Sequence, residues 1–435
     1  MDRVTEIIDT ISRTIWGYPV LILMIGGGIY LSFRSGFPQL RFIKIFRATF
    51  LSLFSKADKS GTKASYLSQF QGFSTALAAT AGTGSIVGVG TAIAIGGPGA
   101  IFWMWISAFF GMALSYTENV LGLKYYKKTG IRGAMSYMEG GLDSKWLAVL
   151  FALFCTLASF GMGNMAQSNS ISSACEETFS IPPILCGIIL SALTAFIIFG
   201  KNRLAKCTEK LVPFMTLFYI IGSLIVIIKH HNELSSAFRT IFSSAFSIGS
   251  VAGGGIGFTL KQACVTGLRR GVFSNEAGLG STVAVHSSCD VKDPKTQGYW
   301  GIVEIFIDTI ILCTMTALVL LVSGTPIGDG GSDIICRAYA SGLGRFGSSF
   351  MAISMVLFAF ATIVGWFFIG KSAWEYIFPR QVLAYKIIFI AFVFLGCVSS
   401  LSLVWGISDI FNGLMALPNL VAILLLSVIG KDLKE

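Results

Sequence analysis

Apolar residues fall along this chain in long stretches separated by short polar segments, and the lengths of those stretches are the first clue to architecture. A helix needs roughly 20 mainly apolar residues to cross a bilayer, and about eleven stretches come near that length. They lie at 15–33, 69–95, 98–123, 146–170, 181–199, 211–228, 241–265, 298–322, 349–370, 387–403 and 407–429. The pattern predicts an all-α membrane protein. Two stretches carry glycine clusters: AATAGTGSIVGVG (78–90) in the second and IGSVAGGGIGF (248–258) in the seventh. Glycine inside a helix costs about 1 kcal/mol relative to alanine, so a plain apolar helix would not select these runs. An unwound turn within the bilayer leaves N–H and C=O groups without helical partners, which is tolerated only where they face protein, a cavity or a ligand.

The two clusters stand five stretches apart, and five is odd, so the halves that contain them enter the membrane from opposite sides. The predicted plan is one extra N-terminal helix with a basic loop (1–67), a first five-helix repeat (68–232) and a second, inverted five-helix repeat (233–435). Paired glycine-broken helices at matching positions of inverted halves point to the binding site of a transporter. Half-helix N-termini present N–H groups to a carboxylate, and half-helix C-termini present carbonyls to a cation or an ammonium group. A zwitterionic amino acid together with Na+ fits both ends. The alternative use of the glycines is close helix packing, for which Gly84 and Gly88 form a GxxxG pair.

Composition agrees with a bilayer environment. The 435 residues are 54% hydrophobic and 12% charged, with a mean hydropathy of +0.75, whereas soluble domains carry about 25% charged residues. A soluble multidomain enzyme is a poor fit. The net charge of +10 is unevenly spread. With an N-out start, 26 Lys and Arg fall in the inner loops and six outside (Arg3, Arg13, Lys229, Arg239, Arg337, Arg345). Lys- and Arg-rich short loops stay cytoplasmic, so the expected topology is N-out and C-in in the cell membrane. The basic charge then meets lipid headgroups and not nucleic acid. The residues ahead of the first stretch balance acids with bases and lack a small-residue cleavage site, so the first helix is expected to be retained.

Several blocks carry a resemblance to a known family. GGPGAIFWMWISAFFG (96–111), GMGNMAQSNS (161–170), RGVFSNEAGLGS (270–281), TIVGW (362–366) and DIFNGLMALPNL (409–420) resemble motifs of the alanine or glycine:cation symporter family, the sodium:alanine symporters. That resemblance implies the five-plus-five inverted fold of the amino acid, polyamine and organocation superfamily, and a carrier that couples a small neutral amino acid to Na+ without any cofactor. Where the family usually reads GTGN, this chain reads Gly82, Thr83, Gly84, Ser85, and a serine hydroxyl reaches less far than an amide.

On this reading the substrate carboxylate docks at the first break, among Thr80, Gly82, Thr83, Gly84 and Ser85. The ammonium meets carbonyls of Gly253, Gly254 and Gly255 together with Gln167. Asn164 lies three residues from Gln167 on one helix face and is expected to brace the broken helix, with interhelical hydrogen bonding as the plain structural alternative for both amides. By analogy with the superfamily, Na+ is expected between the carbonyls of Ala78, Ala81 and Phe358 and the hydroxyl of Thr362. A threonine hydroxyl lies beside the carbonyl four residues earlier, so one helix face offers two hard oxygens. Trp366, four residues from Thr362, is expected to wall the pocket.

Other features add alternatives or remove them. GWFFIGKS (365–372) matches the phosphate-loop pattern formally, but it sits at the end of an apolar span, so no nucleotide site is expected. Glu118, Glu304 and Asp308 are acids within spans; Glu304 and Asp308 share a face at i, i+4, and either offers a proton site, which keeps an H+-coupled carrier as an alternative beside a passive channel. Hydrogen bonding to unwound backbone or helix ends is the plainer use of these acids. Glu276 is expected to tie a loop to a helix end near an inner gate. His230, His231 and His286 show no metal spacing and are expected at the solvated surface. The nine cysteines form no C-x-x-C pair; Cys175 and Cys336 both fall in expected outer loops but are expected to stay unpaired. No nucleophile or metal-ligand set supports an intramembrane enzyme.

Overall fold

The computed structural model describes residues 8, 10–12, 14–52, 67–200, 202–247, 260–326 and 332–429. Among these residues the chain is almost entirely helical, with a lone bridge between Leu67 and Cys289. The elements are α1 (Tyr18–Ser35), α2 (Phe42–Ser52), α3 (Gln69–Thr80), α4 (Val87–Gly96), α5 (Ala100–Thr129), α6 (Met135–Leu142), α7 (Lys145–Phe160), α8 (Ala166–Phe179) and α9 (Pro183–Ile198). They continue with α10 (Arg203–Lys229), α11 (Leu234–Ala245), α12 (Leu260–Asn275), α13 (Val283–His286), α14 (Pro294–Ile305), α15 (Thr314–Val322), α16 (Ser332–Leu343), α17 (Phe346–Ile377), α18 (Val382–Val398) and α19 (Leu401–Ile429).

Six described helical runs are long and apolar enough to cross a membrane: α5, Lys145–Phe179, α10, Pro294–Val322, α17 and Ser408–Ile429. The pair Pro19–Ser35 and Pro38–Leu51 passes the same test only together and bends by 65°. The helices α4, α9 and α18 are apolar but shorter. Two of the long runs contain wide π-helical turns, Gly161–Met165 between α7 and α8 and Phe306–Cys313 between α14 and α15. Such turns recur at functional sites because the extra residue re-aims side chains.

Local chemistry explains the boundaries. Ser68 caps α3 in a reciprocal box with Gln71, which satisfies two orphan N–H groups at that end. Asp293 caps α14 through the Lys295 N–H, with Pro294 in its first turn, where a missing N–H costs nothing. Gly36, at φ 75°, ends α1.

Glycine contacts fix how the helices lie together. Gly267 and Gly271 of α12 meet the start of α5 at Ala100, Trp103 and Ser107, whereas Gly298 and Gly301 of α14 meet α5 at Tyr116 and Ser115. Lys127, at the far end of α5, donates to the Lys292 carbonyl. Lys261 and Arg269, in α12 with Gly267, therefore belong to the opposite end of α5 from Lys292, whereas the count of 26 inner Lys and Arg placed Lys261, Arg269 and Arg270 on the same side as Lys292 and Lys295. Moving Lys261, Arg269 and Arg270 across leaves the basic asymmetry in place. GWFFIGKS runs through the uninterrupted helix α17, so no phosphate loop forms there.

Candidate site at two unwound segments

The first glycine cluster is a break. Helix α3 ends at Thr80, Ala81 and Gly82 leave helical geometry, Thr83–Ser85 form one tight turn, and α4 begins at Val87. Glycine is required by close approach. A Cβ on Gly82 would lie 2.5 Å from Thr362 Oγ1, and one on Gly84 would lie 3.3 Å from the Ser274 Cα.

Among the described residues, the element facing this break is the end of α12. Gly253, Gly254 and Gly255 lie outside the described residues. The segment packed on Gly84 is the end of α12, after which the chain unwinds through Glu276 (φ 54°), Gly278 (φ 84°) and Gly280 (φ 73°) before the single turn of α13. Positive φ at these positions is the backbone reason for the two glycines of NEAGLGS. The first break thus packs on the last turn of α12, at Phe273 and Ser274, and the second unwound segment, 276–282, follows directly from that turn.

Around this junction each sequence candidate has a defined place. Thr362 Oγ1 donates to the Ala78 carbonyl at 2.9 Å and to the Phe358 carbonyl at 3.1 Å, so three of the four expected cation ligands converge. Ala81, the fourth, is the first residue beyond α3, and its N–H donates to Leu77. The Thr80 hydroxyl turns back to the carbonyls of Ala76 and Leu77 in its own helix.

Gln167 accepts from the Thr83 N–H at 3.3 Å and donates to the Met162 carbonyl at 3.1 Å, joining the first break to the π turn. Asn164 instead donates to Phe389 of α18 at 2.7 Å. Gln167, not Asn164, therefore braces the broken helix, while Asn164, on the π turn, ties that turn to α18. Trp366 is fully buried against Gly163, where a Cβ would come within 2.4 Å of the ring. Its Nε1 donates to Glu276 Oε1 at 2.9 Å, and Ser281 donates to Glu276 Oε2 at 2.5 Å. Glu276 thus ties the second unwound segment to α17.

Asp308, on the wider π turn, is the feature that sequence reasoning placed only as a span acid. Ser85 Oγ donates to it at 2.5 Å, Ser274 Oγ at 2.8 Å and Thr309 Oγ1 at 2.9 Å, so one carboxylate joins the first break to the end of α12. The short Ser85 hydroxyl reaches Asp308 because the first break and the end of α12 are already in contact. Thr83 Oγ1 is buried with no hydrogen-bond partner among the described residues, and such a group is costly unless something else meets it.

The remaining polar candidates serve the frame. Asn419 links Glu118 to the Gly278 carbonyl and also accepts from Tyr137. His286 is wholly buried, between Gln297 at 2.8 Å and Glu304 at 3.0 Å, which corrects its expected surface position. The segment after the second break folds inward, so a position that reads as a loop is interior. Glu304 and Asp308 share one helix yet turn to different partners. Cys175 lies in α8 and Cys336 in α16, and all nine cysteines are free.

The described fold resembles the crystal structure of MhsT in complex with L-phenylalanine, with a TM-score of 0.63 and 14% identity over 83% of this chain and 89% of that one. It also resembles a Na+-coupled sialic acid symporter in a substrate-bound outward-open state, with a TM-score of 0.57 and 13% identity over 97% and 98%. At these identities the likeness concerns fold alone. In sequence, the chain is 39% identical to the sodium/alanine symporter AgcS of Methanococcus maripaludis over 98% of this chain and 95% of that protein. It is 41% identical to an uncharacterized transporter of Haemophilus influenzae over 99% and 96%. The profile of the sodium:alanine symporter family matches residues 1–434. An all-helical membrane protein with an unwound helix at its centre, matched along almost its whole length, this chain belongs to the sodium:alanine symporter family and is a secondary transporter, not an enzyme.

Proposed function

We propose that this protein imports a small neutral amino acid, alanine or glycine, together with Na+ by alternating access. The observation that carries the reading is the unwound segment 81–86, flanked by a cluster of hard oxygens from Ala78, Phe358 and Thr362 and braced by Gln167. Na+ replaces the Thr362 hydroxyl proton as the partner of the two carbonyls, and the carbonyl of Ala81 completes the set. The substrate carboxylate docks on the backbone of Gly82 to Ser85, where the unpaired Thr83 hydroxyl is available to it. Trp366, seated against Gly163, walls the site and restricts the substrate side chain to a methyl group or a hydrogen. The ammonium group meets backbone carbonyls at the second unwound segment, 276–282, in place of Gly253 to Gly255.

Occupation of both sites drives the change of access only insofar as the ligands bind the occluded state better than the open ones. The halves 68–232 and 233–435 move as inverted repeats in this scheme, with the N-terminus outside and the C-terminus in the cytoplasm. Asp308, a buried carboxylate touching the first unwound segment and the end of α12, favours H+ as the rival coupling ion.

Purified protein in liposomes decides between these. Labelled alanine is expected to accumulate above its external concentration under an inward Na+ gradient and to stop accumulating when the gradient is dissipated. Accumulation driven by a pH gradient alone establishes the proton reading, and equilibration without accumulation establishes a channel. Gln167→Leu, which keeps the side-chain volume but loses the brace on Thr83, is expected to lower uptake at least tenfold while leaving the detergent-solubilised protein monodisperse. Uptake within twofold of the parent would remove Gln167 from the site.

A further inference from the structure

The helix α2 lies outside the transport machinery described above, and its surface is unusual. It follows a 65° bend from α1, so it does not continue that helix. Ile45 and Thr49 are buried against the protein, and the Phe42 ring stacks on Phe306 with centroids 3.9 Å apart. The opposite face is open. Leu40, Ile43 and Leu51 are 69%, 84% and 55% exposed, and beside them Arg41, Lys44 and Arg47 line the same groove, about 630 Å³ in volume. No Asp or Glu occurs between Thr10 and Ala57, so the charge along this stretch of chain is uniformly positive.

Exposed aliphatic side chains next to a row of cations on a bent amphipathic helix match one ligand chemistry. A phospholipid with a net negative headgroup offers phosphate oxygens to Lys and Arg and acyl chains to the aliphatic residues. The long Lys and Arg stems pack on the apolar surface while their charged ends reach the headgroup level. A soluble anion has no use for Leu40, Ile43 and Leu51, and a zwitterionic lipid leaves the positive charge unbalanced. We propose that the groove of α2 is a binding site for one anionic phospholipid, held by Lys44 and Arg47 with Arg41 at its rim. Because Phe42 stacks on the first residue of the π turn that carries Asp308, the bound lipid also holds α2 against the transport core.

The test compares full-length protein and the double variant Lys44→Gln/Arg47→Gln, with Lys44→Arg/Arg47→Lys as the charge-preserving control. Native mass spectrometry reads retention of phosphatidylglycerol and phosphatidylcholine added in equal amounts. Each basic residue near an anionic surface contributes roughly fivefold. The double glutamine variant is therefore expected to lose about twenty-fivefold in phosphatidylglycerol retention, with phosphatidylcholine unchanged and the control like the parent. Equal retention of the two lipids by the parent, or undiminished phosphatidylglycerol on the glutamine variant, overturns the proposal. Displacement of the lipid by millimolar inorganic phosphate also overturns it, since that marks a simple anion site. Retention is read without transport, so this outcome is independent of the substrate and the coupling ion.

Discussion

Replacing Asp308 with alanine is expected to bring Na+-driven alanine uptake down by about a hundredfold, to the background of empty liposomes. The carboxylate accepts from Ser85 at the first break, from Ser274 at the end of α12 and from Thr309 on its own helix. Its removal takes the shared acceptor from three buried hydroxyls. Ser85 and Ser274 are left only their 3.3 Å contact with each other and that of Ser274 with Cys313, and Thr309 its bond from Asn275. A buried group left unsatisfied costs about 1–3 kcal/mol. Through Ser85 and Ser274 the carboxylate joins the first break to the last turn of α12, from which the second unwound segment starts, so the damage falls on the site geometry before it falls on the fold. Asp308→Asn keeps an acceptor oxygen and the volume, and the hydroxyls can rotate to accept from its amide. It is expected to retain more uptake than Asp308→Ala. The check is initial uptake rate together with gel-filtration profile for both variants. Uptake near the parental rate in Asp308→Ala would show that the two segments keep their geometry without it.

Thr362→Val is expected to raise the Na+ concentration for half-maximal uptake at least tenfold while the protein still folds. Valine has the shape of threonine, and the hydroxyl it lacks is the group that meets Ala78 and Phe358. A tenfold change corresponds to about 1.4 kcal/mol, a modest figure for one hard-oxygen ligand among four. The Phe358 carbonyl lies within α17, which persists without the side chain. Thr362→Ser keeps the oxygen and is expected to stay within threefold of the parent. Sodium titrations of alanine uptake at saturating alanine read both values. An unchanged Na+ requirement in Thr362→Val would place the cation elsewhere.

Much of this site is legible in the amino-acid sequence, for identifiable reasons. Four glycines inside an apolar run weaken a continuous helix there, so a break in this stretch is legible from the residues themselves. Thr362 and Phe358 are four apart, and that spacing alone puts two oxygens on one face. What spacing does not settle is partnership across helices. Asn164 and Gln167 share a face, but the π turn at Gly161–Met165 decides that Asn164 meets Phe389 and Gln167 meets Thr83.

The second unwound segment shows a different limit. GGGIG has the denser glycine cluster and so attracts the assignment, whereas NEAGLGS reads as a loop because it contains Glu276 and follows Arg269 and Arg270. Its signature is positive φ at Gly278 and Gly280 and a buried Glu276 that needs Trp366 as donor. Neither is visible in the order of residues. His286 follows the same logic, since it takes its buried place from the inward turn of that segment.

The most direct measurement is an experimental structure of the protein determined with Na+ and alanine at saturating concentrations. The expected result is amino acid density at the backbone of Gly82 to Ser85, beside Gln167 and Trp366, and a separate cation peak within coordination distance of the Ala78 carbonyl and Thr362 Oγ1. Alanine density anywhere remote from residues 81–86, or a helix that passes through Ala81 to Ile86 without unwinding, would contradict the account.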